Sequence, residues 1–121
     1  MGPKLGGTVR YMLMICDDES GRADPAKIEA DPRFRAWSEE MDRRFGVQRG
    51  GARLRPSGDA TTVQVRDGEV LLSDGPFAES KEQMGGYDLI ECADLDEAIE
   101  VASKHPVAEF GVIEVRPIWE A

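Results

Sequence analysis

The sequence predicts an α+β domain in which two helices cover one face of a mainly antiparallel sheet. Three observations support this: short β-branched runs alternate with two amphipathic helical segments, a hairpin signal stands between them, and 121 residues suffice for one domain. Apolar residues make up 40% of the chain, enough for one modest core. The predicted order is β-α-β-β-α-β with an extra hairpin in the middle, which is typical of a ferredoxin-like sandwich.

The first elements are a tail, a strand and a long loop. Residues 1–7 are rich in Gly and Pro and are predicted to be a flexible N-terminal tail before a single domain over 8–121. Thr8–Cys16 is the most apolar run and too short for a buried helix, so we predict a central strand buried on both faces. The polar segment Asp17–Pro32 is predicted to be a long loop, either a lid or a mobile insert, with room for one helical turn after Pro25.

Arg33–Phe45 is predicted to form the first helix, because its large apolar residues recur along one stripe. Asp31 is the expected N-cap, Pro32 suits the first turn, and Gly46 suits the end of the helix. The stripe consists of Phe34, Trp37, Met41 and Phe45. Its simplest role is packing against the sheet.

The middle of the chain carries the hairpin signal. Gly50–Pro56 is predicted to be a short strand or extended segment. Thr61–Arg66 alternates apolar and polar residues, which predicts a strand with one solvated face. The dipeptide Asp67-Gly68 is a strong signal for a two-residue turn, and Glu69–Ser73 is the returning strand.

The C-terminal part repeats the strand–helix–strand pattern. Met84–Cys92 and Gly111–Trp119 are predicted to be strands, and Leu95–Lys104 the helix between them. Asp94 is the expected N-cap, with Glu97 three residues later as in a capping box. The predicted apolar stripe of this helix consists of Leu95, Ala98, Ile99 and Ala102.

The charge balance restricts the partners. Fifteen Lys and Arg against 24 Asp and Glu give a formal net charge of −9. Such an excess argues against a nucleic-acid surface, which needs a basic patch, and against docking on an anionic membrane. No apolar run reaches the roughly 20 residues of a membrane helix, and Met1–Val9 lacks a signal-peptide pattern. We therefore expect a cytoplasmic protein without nucleic-acid or membrane partners.

The cysteines and the single histidine give no sign of a metal site. Cys16 and Cys92 both lie in apolar runs, so the simplest interpretation is buried free thiols in a reducing compartment. A disulfide would require their strands to be neighbours. Because there is no Cys-x-x-Cys and only one His, we predict neither a metal site nor a cofactor.

One motif is specific. Asp74–Glu82 (DGPFAESKE) resembles the signature of the DGPF branch of the YCII-related family. The flanking matches are Tyr11–Ile15, Ala60–Val63, Arg66–Gly68, Gly85–Tyr87, Leu89–Glu91, Asp94–Ala98 and Glu114–Pro117. The resemblance implies a ferredoxin-like fold that pairs into a dimeric α/β barrel. A homodimer would also cover the sheet face that the two helices leave open.

The same resemblance implies little about activity. Most relatives have no assigned activity, while some members of the wider superfamily are enzymes acting on small aromatic or chlorinated compounds. Their proposed catalytic pair is a His in the first helix region and an Asp before a Pro that follows the second helix. Here the first helix has no His, and His105 precedes Pro106. The mechanism is therefore not carried over. The DGPF branch often occurs beside extracytoplasmic-function sigma factors, which implies a regulatory association.

Candidate site residues cluster around the motif. The proposed ligand-binding residues are Asp74, Phe77, Glu79, Lys81 and Tyr87, and the catalytic candidates are Asp74, Glu79 and His105. Asp74 is either a turn residue or a carboxylate at the mouth of a cleft, acting as base or ligand anchor. The simpler alternatives are a solvated charge network for the charged residues, a hydrophobic anchor for Phe77, core packing for Tyr87, and a cation at a helix end for His105. The pair Gly85-Gly86 indicates a bulge or bend.

Three functions follow from these observations. The favoured one is small-molecule binding, with a regulatory role linked to a sigma factor, because the His–Asp pair is missing. The second is an enzyme on a small organic substrate, using acid–base chemistry at Asp74 with help from Glu79 or His105. The third is a protein–protein adaptor whose acidic surface suits a basic partner.

Overall fold

Strands and helices alternate along the chain in a computed structural model that describes residues 7–21, 23–46, 50–78 and 80–120. The strands are β1 (Val9–Asp17), β2 (Gly50–Arg53), β3 (Thr61–Arg66), β4 (Glu69–Asp74), β5 (Gln83–Cys92) and β6 (Val112–Pro117). The helices are α1 (Pro25–Ala30), α2 (Pro32–Phe45) and α3 (Leu95–Ser103), with 3-10 turns at Ser57–Asp59 and Pro106–Glu109. Apart from Gly7, the predicted N-terminal tail lies outside the described residues.

Four strands form one antiparallel sheet in the order β2-β5-β1-β6. The first strand–helix–strand unit is β1-α2-β2, and β5 lies between its two strands. The second unit is β5-α3-β6, and β1 lies between its two strands, which is consistent with a ferredoxin-like fold. Strands β3 and β4 pair with each other as a separate two-stranded sheet. The predicted α+β class and the extra hairpin are therefore confirmed.

The core lies between one face of the four-stranded sheet and the helices α2 and α3. Its buried members are Tyr11, Leu13, Trp37, Met41, Ile90, Cys92, Ala98, Val101 and Ala102. Phe34 and Phe45 pack partly buried against this cluster, so the predicted aromatic stripe of α2 faces the core. The Trp37 Nε1–H donates to the Val101 carbonyl at 2.9 Å, which ties α2 to α3.

The predicted helix ends are mostly confirmed. The Asp31 carboxylate accepts the Arg33 backbone N–H at 2.8 Å, and Gly46 ends α2 at φ +58°. Asp94 accepts the Glu97 N–H at 2.9 Å at the start of α3. The six-residue α1 shows that the predicted loop Asp17–Pro32 does contain a helical turn after Pro25.

Two burial predictions were wrong. In α3, Leu95 is 48% and Ile99 50% exposed, because the helix turns its small face, with Val101, toward the sheet. Strand β1 is buried on one face only: Met12 and Met14 are half-buried, since no described helix covers the side of the sheet away from α2 and α3.

The hairpin has the predicted turn but not the predicted burial. Asp67 (φ +52°) and Gly68 (φ +78°) are both left-handed, as a two-residue hairpin turn requires. The strand pairing places four apolar side chains on one side, here called the hairpin face: Val63, Val65, Val70 and Leu72. They are 57–67% exposed, so the prediction of a single solvated face is wrong for the isolated chain. No element among the described residues buries the hairpin face.

The two cysteines lie at opposite ends of the β1–β5 pair. Cys16 is opposite Met84, and Cys92 is opposite Val9. Seven residues of strand separate these positions, about 24 Å at roughly 3.4 Å per residue, whereas a disulfide needs Cα atoms within about 7 Å. Both cysteines are free, and burial raises the pKa of Cys92 to about 11. The Cys92 thiol is therefore protonated at neutral pH.

Candidate functional site

An open cleft of about 640 Å³ lies where the end of β1 meets the helical layer. This volume is within the range of small-molecule sites. The described sheet residues Ile15 and Gly86 line it from one side, and Phe34 and Val107 line it from the helical layer. The described segments on either side of the mouth are residues 17–21 with 23–25, and residues 51–56. The cleft is thus built from parts of the chain that are distant in sequence.

The floor of the cleft is sheet backbone at a β-bulge. Ile15 pairs with Gly86 and Cys16 pairs with Met84, so Gly85 is the additional residue of β5. This confirms the prediction that the pair Gly85-Gly86 marks a bulge. The bulge ends the regular pairing of β1 with β5 at the place where the cleft opens.

Three glycines keep this floor free of side chains. A Cβ atom on Gly86 would lie 3.1 Å from the Ala52 carbonyl oxygen, and one on Gly85 would lie 3.3 Å from an Asp17 carboxylate oxygen. The third is Gly51, where a Cβ would clash with the backbone of β5. Larger residues at these positions would either fill the cleft or move its walls.

Asp17 is the last residue of β1 and one of three buried polar residues that line the cleft. Its side chain accepts the backbone N–H of Glu19 at 2.6 Å, and the residue is 9% exposed. This bond fixes the direction in which the chain leaves the sheet. The sequence prediction began the loop at Asp17 and so did not identify it as a site residue.

Asp88 is the second buried polar residue and belongs to β5. It is 9% exposed and occupies the same side of the strand as Gly86, Ile90 and Cys92, all of which are buried. A charged residue in the middle of an alternating buried face was a signal in the sequence that the prediction did not use. Its carboxylate lies beside Gly51, 2.8 Å from where a Cβ would stand.

His105 is the third buried polar residue, only 3% exposed. Its Nδ1 accepts the Val107 backbone N–H at 3.1 Å, which caps the 3-10 turn Pro106–Glu109. The imidazole packs edge-on against Trp37 and Phe34, with centroid distances of 4.6 and 5.7 Å. Nδ1 is thus used to hold the 3-10 turn, while the ring packs within the aromatic cluster. The expected role of His105 as a cation at a helix end stays a prediction.

Polar contacts join the first of these segments to the second and to Ser57, the residue that follows it. The Glu19 carboxylate accepts the Ser57 backbone N–H at 2.8 Å and the Ser57 hydroxyl at 2.5 Å. These bonds hold the pKa of Glu19 below its usual value. Arg53 donates to the Ala23 carbonyl at 3.4 Å. Glu19 is thus ionised at neutral pH and bonded across the mouth.

The sequence motif Asp74–Glu82 begins at the base of the hairpin. Gly75 has φ +88°, its N–H donates to the Ala60 carbonyl at 2.7 Å, and its carbonyl accepts the Thr62 hydroxyl at 2.8 Å. The glycine is needed there because φ is positive. The start of the motif therefore has a turn-forming role in this chain.

Only part of the predicted site reaches the cleft. Tyr87 and His105 are among its lining residues, whereas Asp74, Phe77 and Lys81 are exposed and are not among them. Phe77 is 77% exposed, so the expectation that it anchors the loop is wrong for the isolated chain. Glu79 lies outside the described residues. The ligand-binding and catalytic roles of all these residues stay predictions.

The profile of the YCII-related domain matches residues 9–121. The chain belongs to the YCII-related family. An uncharacterized protein of Rhizobium meliloti (strain 1021) is 43% identical to this chain over 114 aligned residues. That alignment covers 89% of this chain and 90% of the relative. The YCII-related match thus spans the sheet, the helices and the cleft.

The described part of this YCII-related chain gives two further observations. No group of three or more His, Cys, Asp or Glu side chains among the described residues is arranged to hold a metal ion. No helix there is both long and apolar enough to cross a membrane.

Proposed function

We propose that this YCII-related chain binds a small organic molecule in the cleft. The observation that carries the proposal is the cleft itself, in which apolar walls surround the three buried polar residues Asp17, Asp88 and His105. Sites for small molecules combine largely apolar walls with a few fixed polar groups in this way. The imidazole is already held by Val107 and two aromatic rings, so little ordering is required on binding.

A fragment screen tests this proposal. We would titrate the full chain with neutral, cationic and anionic fragments and follow backbone amides by NMR. We expect at least one fragment to shift the amides of Ile28, Ala52 and Val107 together. Shifts that are absent for every fragment, or scattered over the surface, would contradict the proposal.

His105→Asn is the variant that connects binding with the cleft. An Asn side chain can still accept the Val107 N–H and cap the turn, but it removes the rest of the imidazole ring from the cleft wall. We expect the variant to fold and to bind the best fragment about tenfold more weakly, the effect of one lost polar contact. Glu120→Asn, at an exposed residue outside the cleft, is the control and should bind as wild type.

An enzyme acting on a small organic substrate is the second candidate. The observation that favours it is the presence of an imidazole and two carboxylates in one cleft, since these are the usual acid–base groups of enzymes. An enzyme, unlike a simple binding protein, would convert a bound compound chemically, and NMR would detect the product. The variant His105→Asn should abolish this conversion while the compound still binds.

We also propose that the chain belongs to the DGPF branch of its family, on the motif Asp74–Glu82. The link to a sigma factor that this branch implies stays a prediction, which no observation on the described residues tests.

A homodimer is part of the same proposal. The hairpin face and the half-buried Met12 and Met14 of the open sheet face expose apolar surface that a second copy would cover. A two-stranded sheet alone is also marginally stable in water. Both features support an assembly in which two sheets stack.

Leu72→Lys tests the homodimer. Leu72 is 67% exposed on the hairpin face, and Leu71 is 44% exposed on the opposite side of the same strand. We expect the wild type and Leu71→Lys to elute as dimers in size-exclusion chromatography with light scattering, and Leu72→Lys as a monomer. A monomeric wild type, or equal loss of the dimer in both variants, would contradict the proposal.

A further inference from the structure

The mouth of the cleft is closed on one side by polar contacts between two chain segments. Glu19 follows β1, and Ser57 starts the 3-10 turn after β2. The two hydrogen bonds from Ser57 to the Glu19 carboxylate, through the Ser57 backbone N–H and its hydroxyl, join these segments directly. The pair Glu19–Ser57 is called the clasp below.

Glu19 is held in an unusual backbone conformation. Its φ is +58°, a left-handed value that residues with a side chain rarely adopt. The buried Asp17 accepts the Glu19 N–H, and the clasp holds the side chain, so contacts on both sides are needed to maintain this conformation. Breaking the clasp removes one of these restraints and favours a return of Glu19 to an ordinary φ.

The clasp is also exposed to water. Glu19 is exposed and Ser57 is half-buried, and water can reach both hydrogen bonds and replace them at small net loss. A further contact across the mouth is the 3.4 Å bond from Arg53 to the Ala23 carbonyl, which is longer than an ordinary hydrogen bond. Local opening here breaks a few exposed polar contacts, whereas opening the four-stranded sheet breaks its backbone pairing.

We propose that the clasp is a latch: when the Glu19–Ser57 bonds break, the segment carrying Glu19 moves away and widens the mouth of the cleft. The latch regulates access to the cleft, and this inference rests on the proposed function because access matters only if the cleft binds a molecule. Its motion is measurable without any ligand.

Hydrogen–deuterium exchange of the full chain is the first test. Glu19→Ala removes both acceptors of the clasp and leaves the left-handed φ as unfavourable as before. We expect amides of residues 18–21, 23–24, 54–55 and 57–60 to exchange about tenfold faster, because water largely compensates for the two lost exposed hydrogen bonds, while α3 and β6 are unchanged. The matched control is Ser20→Ala, because Ser20 bonds to Asp18 through its backbone N–H.

Thiol labelling is the second test. Ile28 lines the cleft and is 4% exposed, so the variant Ile28→Cys reports on the mouth. We expect N-ethylmaleimide to modify the introduced thiol several-fold faster in the Glu19→Ala background than with Ser20→Ala. Cys92, buried and protonated at neutral pH, is the internal control for global unfolding and should stay unmodified. Peptide mass spectrometry separates these thiols from Cys16.

Each outcome has a definite meaning. Unchanged exchange and labelling would overturn the latch, and so would faster exchange that extends equally to α3 and β6. A working latch in a protein that binds no fragment would leave the latch standing and refute the proposed function. Fragment binding together with unchanged exchange and labelling in Glu19→Ala would support the proposed function and refute the latch.

Discussion

Replacing Gly51 with Ala is expected to lower the free energy of unfolding by about 3 kcal/mol. The added Cβ would lie 2.4 Å from the Tyr87 carbonyl oxygen and 2.8 Å from an Asp88 carboxylate oxygen, both on the neighbouring strand. The backbone at Gly51 has φ +148°, a region that residues with a Cβ rarely adopt. Strand β2 would have to separate from β5 at the floor of the cleft.

Gly58→Ala is the matched control for this substitution. Gly58 lies in the 3-10 turn close to β2, and a Cβ there would meet nothing within 4 Å. We expect its unfolding free energy to stay within about 0.5 kcal/mol of wild type in urea titrations. Equal losses in the two variants would show that the close approach of β2 and β5 does not restrict Gly51.

Trp37→Ala is expected to destabilise the chain by about 4 kcal/mol. Trp37 is 3% exposed, packs between Phe34 and His105, and donates its indole N–H to the Val101 carbonyl. The substitution would leave a cavity between α2 and α3 and remove the indole bond to the Val101 carbonyl, which keeps its bond from the Lys104 N–H. Because His105 loses one of its two aromatic neighbours, fragment binding in the cleft should weaken as well.

The second tryptophan provides the control. Trp119 is 94% exposed, so Trp119→Ala should change the free energy of unfolding by less than about 0.5 kcal/mol. Urea titrations followed by circular dichroism compare the two variants without relying on tryptophan fluorescence. A similar loss of stability in both would show that Trp37 does not hold the helices to the sheet.

Local sequence signals predicted much of the fold. The caps Asp31 and Asp94, the helix end at Gly46 and the turn Asp67-Gly68 each depend on a few neighbouring residues. The hydrogen bonds and backbone angles that define these caps and turns involve only a few consecutive residues. They can therefore be predicted without knowing what the helix or strand packs against.

Burial could not be predicted in the same way. Val63 and Leu95 have the right periodicity for a buried face, and both are exposed. Whether an apolar face is covered depends on the neighbouring elements or on a second copy of the chain. The periodicity of apolar residues shows that a face exists, and it does not show what packs against it. For the same reason β1 was predicted to be buried on both faces.

The candidate site depended even more on distant contacts. Asp17 and His105 come together only because β1 extends one residue further than predicted and because a 3-10 turn follows α3. The prediction instead placed most site residues in the motif that begins at Asp74, at the base of the hairpin. Asp88 was the exception, since its position among alternating apolar residues already indicated a buried carboxylate.

The order of strands in the sheet has a consequence for synthesis on the ribosome. Among the described strands β1 is made before the other five, yet its two neighbours are β5 and β6, the two made latest. At about 5–20 residues per second, β1 waits on the order of ten seconds for its partners. Its edges are unpaired during this interval, so we expect the nascent chain to be exposed to aggregation until β5 and β6 have been made.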